Sequence, residues 1–437
     1  MPNYASVGRR SAAIFTGLAF TLSSMSGSAI AQSNDKYRLG IVTFLSGAAA
    51  GPFGVPAANA AKLLIDSINN GRLPAPYNTK GINGVAVEPV VIDEAGGATK
   101  QAEEYRNLVQ RQNVNAVVGY ISSGDCLAVG PLAEEMKVPT VLFDCGTSKI
   151  FETVKDPNFL FRTGLDSVED NVAAARYIAE TRPTIKSVGS IQQNYAFGQD
   201  SWSDFSLAIK QLMPSVKVVS EQWPKLGQGQ YGAEISALSV ANPDLIHSSL
   251  WGGDMEGMML QASARGLVDK RAMLLTCGDT GVDRFKGQIP NGVIIGGRGP
   301  FGVFAPKSPL NDWFRAAYIA QYKEAPTYPA YKMAQAILGL KAAAEKAGKP
   351  GLPDATQLVK NFAGMKFEAP SGTVNMARSK GHQAVQSVAY GEYSYDQKTG
   401  KASVIKVKSY PGECLMPPDG TSSANWIKSG FAGAKCS

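Results

Sequence analysis

Histidine is nearly missing from this chain of 437 residues, which has two, His247 and His382. Neither has a second ligand one turn away, and the five cysteines stand apart at Cys126, Cys145, Cys277, Cys414 and Cys436, so no cluster has metal-ligand spacing. There is no G-x-S-x-G elbow, and His247 falls inside a run that reads as a strand, a place for a structural histidine rather than a base. No basic run exceeds two residues, which removes the footprint of a nucleic-acid binder. Long apolar runs are lacking as well. The best, Ala12–Leu22, is too short and too broken by small polar residues to span a membrane.

That stretch follows Arg9 and Arg10 and precedes Ala29-Ile30-Ala31, the layout of a secretory signal cleaved after Ala31. Export to the periplasm is therefore expected. No cysteine follows the cleavage site to carry a lipid anchor. The net charge of +7 includes both signal arginines and is mild for the length, which suits two or three domains. In an oxidising compartment, five cysteines imply one or two disulfides and at least one leftover thiol. Cys414 and Cys436 bracket a tail rich in Pro, Gly and Ser and form the first candidate pair, with Cys126 and Cys145 the second.

Periodicity supplies the fold class. Strand-like Tyr37–Thr43 is followed by Ala57, Ala60, Ala61, Leu64, Ile65 and Ile68 at helical spacing, with Pro56 near the helix start. Strand Val85–Ile92, helix Thr99–Gln112, strand Asn115–Gly119, helix Leu127–Met136 and strand Pro139–Phe143 follow. The same rhythm restarts after Phe161-Arg162-Thr163, beginning with helix Val168–Glu180 and running to strand Val293–Ile295. The helices in that half include Ser201–Leu212 and Met255–Arg265. Helices Trp313–Tyr322 and Tyr331–Lys346, then strands near Ser387–Tyr395 and Ser403–Lys408, complete it. Such alternation predicts an α/β protein of two doubly wound lobes around parallel sheets.

In open α/β sheets ligands lie beyond the carboxyl ends of the strands. The stretch FDCGTSK, residues 143–149, sits there, offering Gly146 for close backbone approach and Thr147 beside N–H groups that hold an anion. A plain helix cap at Thr147 is the competing reading. Other strand ends carry Ser122-Ser123-Gly124, Phe53 in a loop of small residues, Tyr195-Ala196-Phe197, Trp251-Gly252-Gly253-Asp254 and Cys277-Gly278-Asp279. One lobe offers hydroxyls and backbone; the other offers aromatics and acids. Each aromatic has core packing as its alternative role, and Asp279 has helix capping.

These residues carry a resemblance. Through SGAAAGPFG followed by AKLLIDSIN, then FRTGLDS, ANPDLI and LQASARGL, the chain resembles the leucine/isoleucine/valine-binding family of solute-binding proteins that serve ABC importers. The resemblance implies a type I periplasmic binding protein fold, two lobes joined by a three-strand hinge, with crossings near Arg162, Gly296 and Gln383. It divides the chain into a first lobe of 32–161 plus 296–383, a second of 162–295 plus 384–408, and a tail of 409–437. Ser122, Ser123, Gly146 and Thr147 would bind the carboxylate of an amino acid and Phe53 would lie against its side chain. Tyr195, Phe197 and Trp251 would contact it from the second lobe, and Asp279 would take its α-ammonium. Asp279 stands where the family has a longer glutamate, and Trp251-Gly252-Gly253-Asp254 looks more like members that import aromatic acids.

The implied function is capture of a small carboxylate, an apolar amino acid first, for delivery to a membrane permease. An aromatic carboxylate, a small amide and a sensory role are the alternatives. No catalysis, cofactor or metal is expected, and the protein is expected to be a monomer. Gly227-Gln228-Gly229-Gln230-Tyr231-Gly232, with Asp254 beyond it, matches a dinucleotide fingerprint, but Trp223-Pro224-Lys225-Leu226 separates it from its strand. Gly297-Arg298-Gly299-Pro300-Phe301-Gly302 also matches but leads into no helix. A secreted hydrolase remains as a distant reading.

Overall fold

Val117-Val118 and Val141-Leu142 are short apolar pairs buried on both faces, as strands must be at the centre of a parallel sheet covered by helices. The protein, a computed structural model, is described for residues 36–346, 348 and 350–436. The proposed signal, residues 1–31, lies outside the described residues. The first half supplies strands β1 (Tyr37–Thr43), β2 (Val87–Asp93), β3 (Ala116–Gly119), β4 (Thr140–Leu142) and β5 (Leu160–Arg162). The second run gives β6 (Ser187–Ile191), β7 (Lys217–Gln222), β8 (Leu245–Ser248), β9 (Ala272–Leu275) and β10 (Ile294–Gly297). Five more follow: β11 (Lys366–Ala369), β12 (Gly372–Arg378), β13 (Gln383–Val385), β14 (Val388–Asp396) and β15 (Lys401–Tyr410).

Two sheets result, in the orders β11-β12-β13-β5-β4-β3-β1-β2 and β15-β14-β10-β9-β8-β6-β7. Their parallel parts, β2-β1-β3-β4-β5 and β7-β6-β8-β9-β10, have the same winding, which reverses beside the first strand and opens a crevice at the carboxyl ends there. The chain passes from one sheet to the other three times, after β5, after β10 and after β13. The expected two-lobed, doubly wound architecture is thus present.

The differences are local and have causes. Helices begin earlier than their apolar periodicity suggests, at Ser123, Ala196, Gly252 and Tyr328: the first and third open on glycine and polar residues, and the other two hold Gly198 and Pro329 in their first turns, all of which read as loop. Gly198 shows why: a Cβ there would lie 1.9 Å from the Gln193 carbonyl oxygen, so only glycine lets this helix start so close to β6. Strands β5, β11, β12 and β13 and helix Ala355–Phe362 were not anticipated. β11 to β13 are short strands interrupted by Gly372 and Gly381, beyond the reach of a periodicity argument.

The tail is a folded part of the second lobe. Trp426, Ile427 and Phe431 join Trp202 and Phe205 in its core, and Asp419 reaches across to accept from the N–H groups of Ser379 and Lys380 at 2.7 and 3.0 Å. Cys414 and Cys436 are disulfide-bonded with Cα atoms 4.5 Å apart, and Cys126 and Cys145 with Cα atoms 6.3 Å apart. Cys277 is free and buried.

Beneath the hinge, the buried Asp204 accepts from the Ser167 hydroxyl at 2.7 Å. Burial pushes its carboxyl up to about 8, against the hydroxyls of Ser167 and Ser423. Its folded form therefore prefers the proton, and the stability this confers is present below the unfolded carboxylate range near 4 and lost as pH rises through 8. Asp204→Asn should match the native melting temperature at pH 5 and exceed it at pH 9. The same offset at both values would mean that Asp204 does not titrate in this window.

Candidate functional site

The crevice is built from the loops that leave β1, β3, β4, β6, β8 and β10. Phe53 is turned inward because Gly54 passes against Phe44, where a Cβ would sit 1.7 Å from the Phe44 carbonyl oxygen. Its ring meets Trp251 edge-on at 5.3 Å and Tyr328 at 6.1 Å. Trp251 precedes the helix Gly252–Ala264 and donates from Nε1 to the Tyr195 hydroxyl at 2.7 Å, which fixes both rings. Phe197 lies in the first turn of helix Ala196–Leu212 and packs on Gly146.

The FDCGTSK loop is held from behind. Cys145 is in the left-handed region with φ of 67°, and Arg162 Nη1 donates to the carbonyls of Cys145 and Thr147 at 2.7 and 2.6 Å. Arg162 is itself fixed by Gln383 and by Asp166, the N-cap of helix Ser167–Thr181. This is the local work of the FRTGLDS stretch.

Phe53, Ile121, Asp144, Gly146, Tyr195, Phe197, Trp251 and Arg298 line one common cavity of about 10 Å³, room for roughly one water molecule. Five of the nine expected residues thus come together: Phe53, Gly146, Tyr195, Phe197 and Trp251. Ser122, Ser123 and Thr147 lie behind the wall. The Ser122 N–H donates to Glu94 Oε1 at 2.7 Å, the Thr147 N–H donates to Ser123 Oγ at 3.1 Å, and the Thr147 hydroxyl donates to Asp200 of the opposite lobe. Asp279 borders a different cavity, of about 290 Å³, with Phe301, Arg315, Tyr390 and Val404. Both its carboxylate oxygens are shielded and lack a hydrogen-bond partner among the described residues. Burial pushes its pKa up to about 7, with Arg298 opposing and Asp170 and Asp144 adding to the rise.

Sequence reasoning missed the charged floor. Arg298, immediately after β10, is 3 % exposed and pairs with Asp144 at 3.1 Å and Asp170 at 2.8 Å, while its guanidinium lies over Phe197 and Tyr328. Asp144 Oδ1 also accepts from the Tyr328 hydroxyl at 2.8 Å; Oδ2 is buried without a partner. Burial raises Asp170 to about 7, Arg298 holding it down, and lowers the nearby Lys332 to about 7. The signals were present as Asp144 at a strand end and Arg298 in a glycine-rich stretch, but their pairing is long-range.

The dinucleotide matches dissolve. Asp254 accepts from the Gly227 N–H and from Gln193 Nε2, both at 2.7 Å, so it fastens the loop instead of facing a ribose. His247 is buried between Asn171, Gln192 and Thr276, stacks on Phe205 at 4.0 Å, and is lowered by burial to about 3, as befits a structural residue. Among the described residues, no group of three or more His, Cys, Asp or Glu is placed to hold a metal, and no helix is long and apolar enough to cross a membrane.

A Cβ on Gly146 would lie 2.4 Å from Phe197 Cε2 and 3.0 Å from Arg298 Nη2. The clash with Phe197 falls between opposite lobes, so Gly146→Ala should weaken ligand binding by about 1–3 kcal/mol, roughly 10- to 100-fold. Calorimetric titration checks this; unaltered affinity would place the closing faces elsewhere.

No curated protein matches the sequence. Among solved structures, the solute-binding protein of an ABC transporter from Rhodopseudomonas palustris BisB5, in complex with 3,4-dihydroxybenzoic acid, is similar at a TM-score of 0.73 and 22% identity. It covers 86% of this chain and 98% of its own. A leucine-binding protein from Thermotoga maritima is similar at 0.70 and 19%, covering 85% and 98%. The branched-chain amino acid transporter substrate-binding protein from Streptococcus pneumoniae, in complex with isoleucine, is similar at 0.69 and 20%, covering 86% and 100%. The family model described as periplasmic binding protein matches residues 36–401. With the two doubly wound lobes and the crevice between them, that match, which spans most of the chain, establishes that the protein belongs to the periplasmic binding protein family.

Proposed function

We propose that this is a periplasmic solute-binding protein that captures a small molecule with an ammonium group and an apolar body, an apolar amino acid first, and delivers it to an ABC permease. The observation that carries the ligand reading is Asp144, which leaves one carboxylate oxygen without a partner and lines a cavity together with Phe53, Tyr195, Phe197, Trp251 and its own ion-pair partner Arg298. An unpaired buried acceptor is costly, and an ammonium satisfies it while the rings cover the apolar body. The protein acts by binding, without turnover, as a monomer exported with its signal removed.

The lobes proposed are 32–161 plus 296–383 and 162–295 plus 384–408, with 409–437 as the tail. Because the cavity is so small and its walls come from both lobes, a solute of several heavy atoms enters by lobe separation and is enclosed by closure. Arg298 in the wall, with four rings around it, favours an aromatic carboxylate as the second reading; one similar protein carries such a ligand.

A thermal-shift panel of amino acids, amines and aromatic carboxylates tests the function. A ligand at 100 times its dissociation constant stabilises the fold by about 2.7 kcal/mol, and small-angle scattering should then show a smaller radius of gyration. Shifts with nucleotides alone would overturn the reading.

A further inference from the structure

We infer that the crevice recognises its ligand through the ammonium and the apolar body, and that a ligand carboxylate is dispensable, so that hydrophobic amines and amino-acid amides belong to its ligand class. This rests on the solute-binding reading above and deepens it.

A carboxylate needs donors. Those on the first-lobe side that would meet one are turned to the protein's own acids and hydroxyls. The N–H groups of Ile121 and Ser122 both donate to Glu94 Oε1 at 2.7 Å. The Thr147 N–H goes to Ser123 Oγ, and the Thr147 hydroxyl goes to Asp200. Asp200, 2 % exposed, is in turn fixed by Lys149 at 2.5 Å. A carboxylate from the second lobe thus already occupies the hydroxyl that a ligand carboxylate would use, and a second anion beside it would meet like charge in a poorly solvated place. Arg298 spends three of its contacts on Asp144, Asp170 and the Leu165 carbonyl.

Acceptors, by contrast, are in surplus. Asp144, in the cavity wall, leaves its Oδ2 without a partner, and Asp170, which shares Arg298 with it, leaves Oδ1 without one. Buried polar atoms are nearly always hydrogen-bonded in folded proteins. A set of orphans made of carboxylate oxygens fits a donor-rich cation, and the ring faces of Phe53, Tyr195, Phe197 and Trp251 attract the same charge.

The test uses matched ligands on the full mature protein by calorimetric titration. One series is leucine, leucinamide, 3-methylbutan-1-amine and 4-methylpentanoate; the other is phenylalanine, phenylalaninamide, 2-phenylethylamine and 3-phenylpropionate. In at least one series the amide and amine should bind within about tenfold of the amino acid, and the acid more than about 100-fold more weakly, a gap of about 2.7 kcal/mol. An acid that binds while its amine does not would overturn the inference and leave the solute-binding reading standing. Failure of every compound would overturn both. Asp200→Ala adds an independent arm: freeing the Thr147 hydroxyl should shift the acid-to-amine affinity ratio at least about tenfold toward the acid. An unchanged ratio would show that Asp200 does not guard that hydroxyl, and would remove the donor half of the argument.

Discussion

Asparagine in place of Asp144 is expected to weaken binding of an ammonium ligand by roughly two to three orders of magnitude. Removing one partner of a buried charged pair costs about 3–5 kcal/mol, and 1.4 kcal/mol is about tenfold. The change also weakens the Arg298–Asp144 pair, so its effect on the fold is measured beside its effect on the ligand. Asparagine keeps an oxygen to accept from the Tyr328 hydroxyl, and Arg298 keeps Asp170. What it removes is the charge of a carboxylate whose Oδ2 is buried without a partner. Calorimetric titration of the best ligand measures the loss, and a melting curve without ligand separates it from a folding defect. Equal affinities for the native protein and Asp144→Asn would show that the ammonium is held elsewhere, with Asp279 the next acid to replace.

The contrast between Asp144 and Asp279 shows how far a sequence can be read. The alternation of strands and helices was legible because a parallel sheet needs buried β-branched runs, such as Val117-Val118, separated by helices. The rings were legible too, since Phe53, Tyr195, Phe197 and Trp251 each follow a strand at its carboxyl end, where crevices form. What a strand-end residue does with its polar atoms was not. Thr147 and Ser122 have the right chemistry for a carboxylate, yet Asp200 and Glu94 already engage them. Asp200 escaped notice because it lies in a helical turn that opens with Ala196-Phe197-Gly198 and reads as loop. Arg298 was hidden by its neighbours Gly297 and Gly299. Nothing local announces that a guanidinium there will be buried between acids far away in sequence. Hydrogen bonds between distant loops depend on register and crossing geometry, which periodicity does not encode.

Methionine in place of Arg298 should destabilise the protein by about 3–5 kcal/mol near pH 8 and by clearly less near pH 5. Arg298 follows β10, where the chain leaves the second sheet, and its guanidinium joins Asp144, at the end of β4, to Asp170, on helix Ser167–Thr181. Methionine fills much of the same volume but leaves both carboxylates without their cation in a buried place. Asp170 already sits at about 7, pushed up by burial while Arg298 holds it down. Without the guanidinium it rises further. The folded form then binds its proton more tightly than the unfolded form over a wider range, and the fall in stability that begins above the unfolded carboxylate value near 4 continues to higher pH than in the native protein. Near pH 5 Asp170 is protonated in both proteins, so the variant loses less there. Near pH 8 the native protein carries Asp170 ionised and paired, whereas the variant must retain a proton against the solvent or bury a bare charge. Urea unfolding at the two pH values measures the difference. A loss of the same size at both, or a loss below about 1 kcal/mol at pH 8, would mean that Arg298 does not pin the two lobes through these acids.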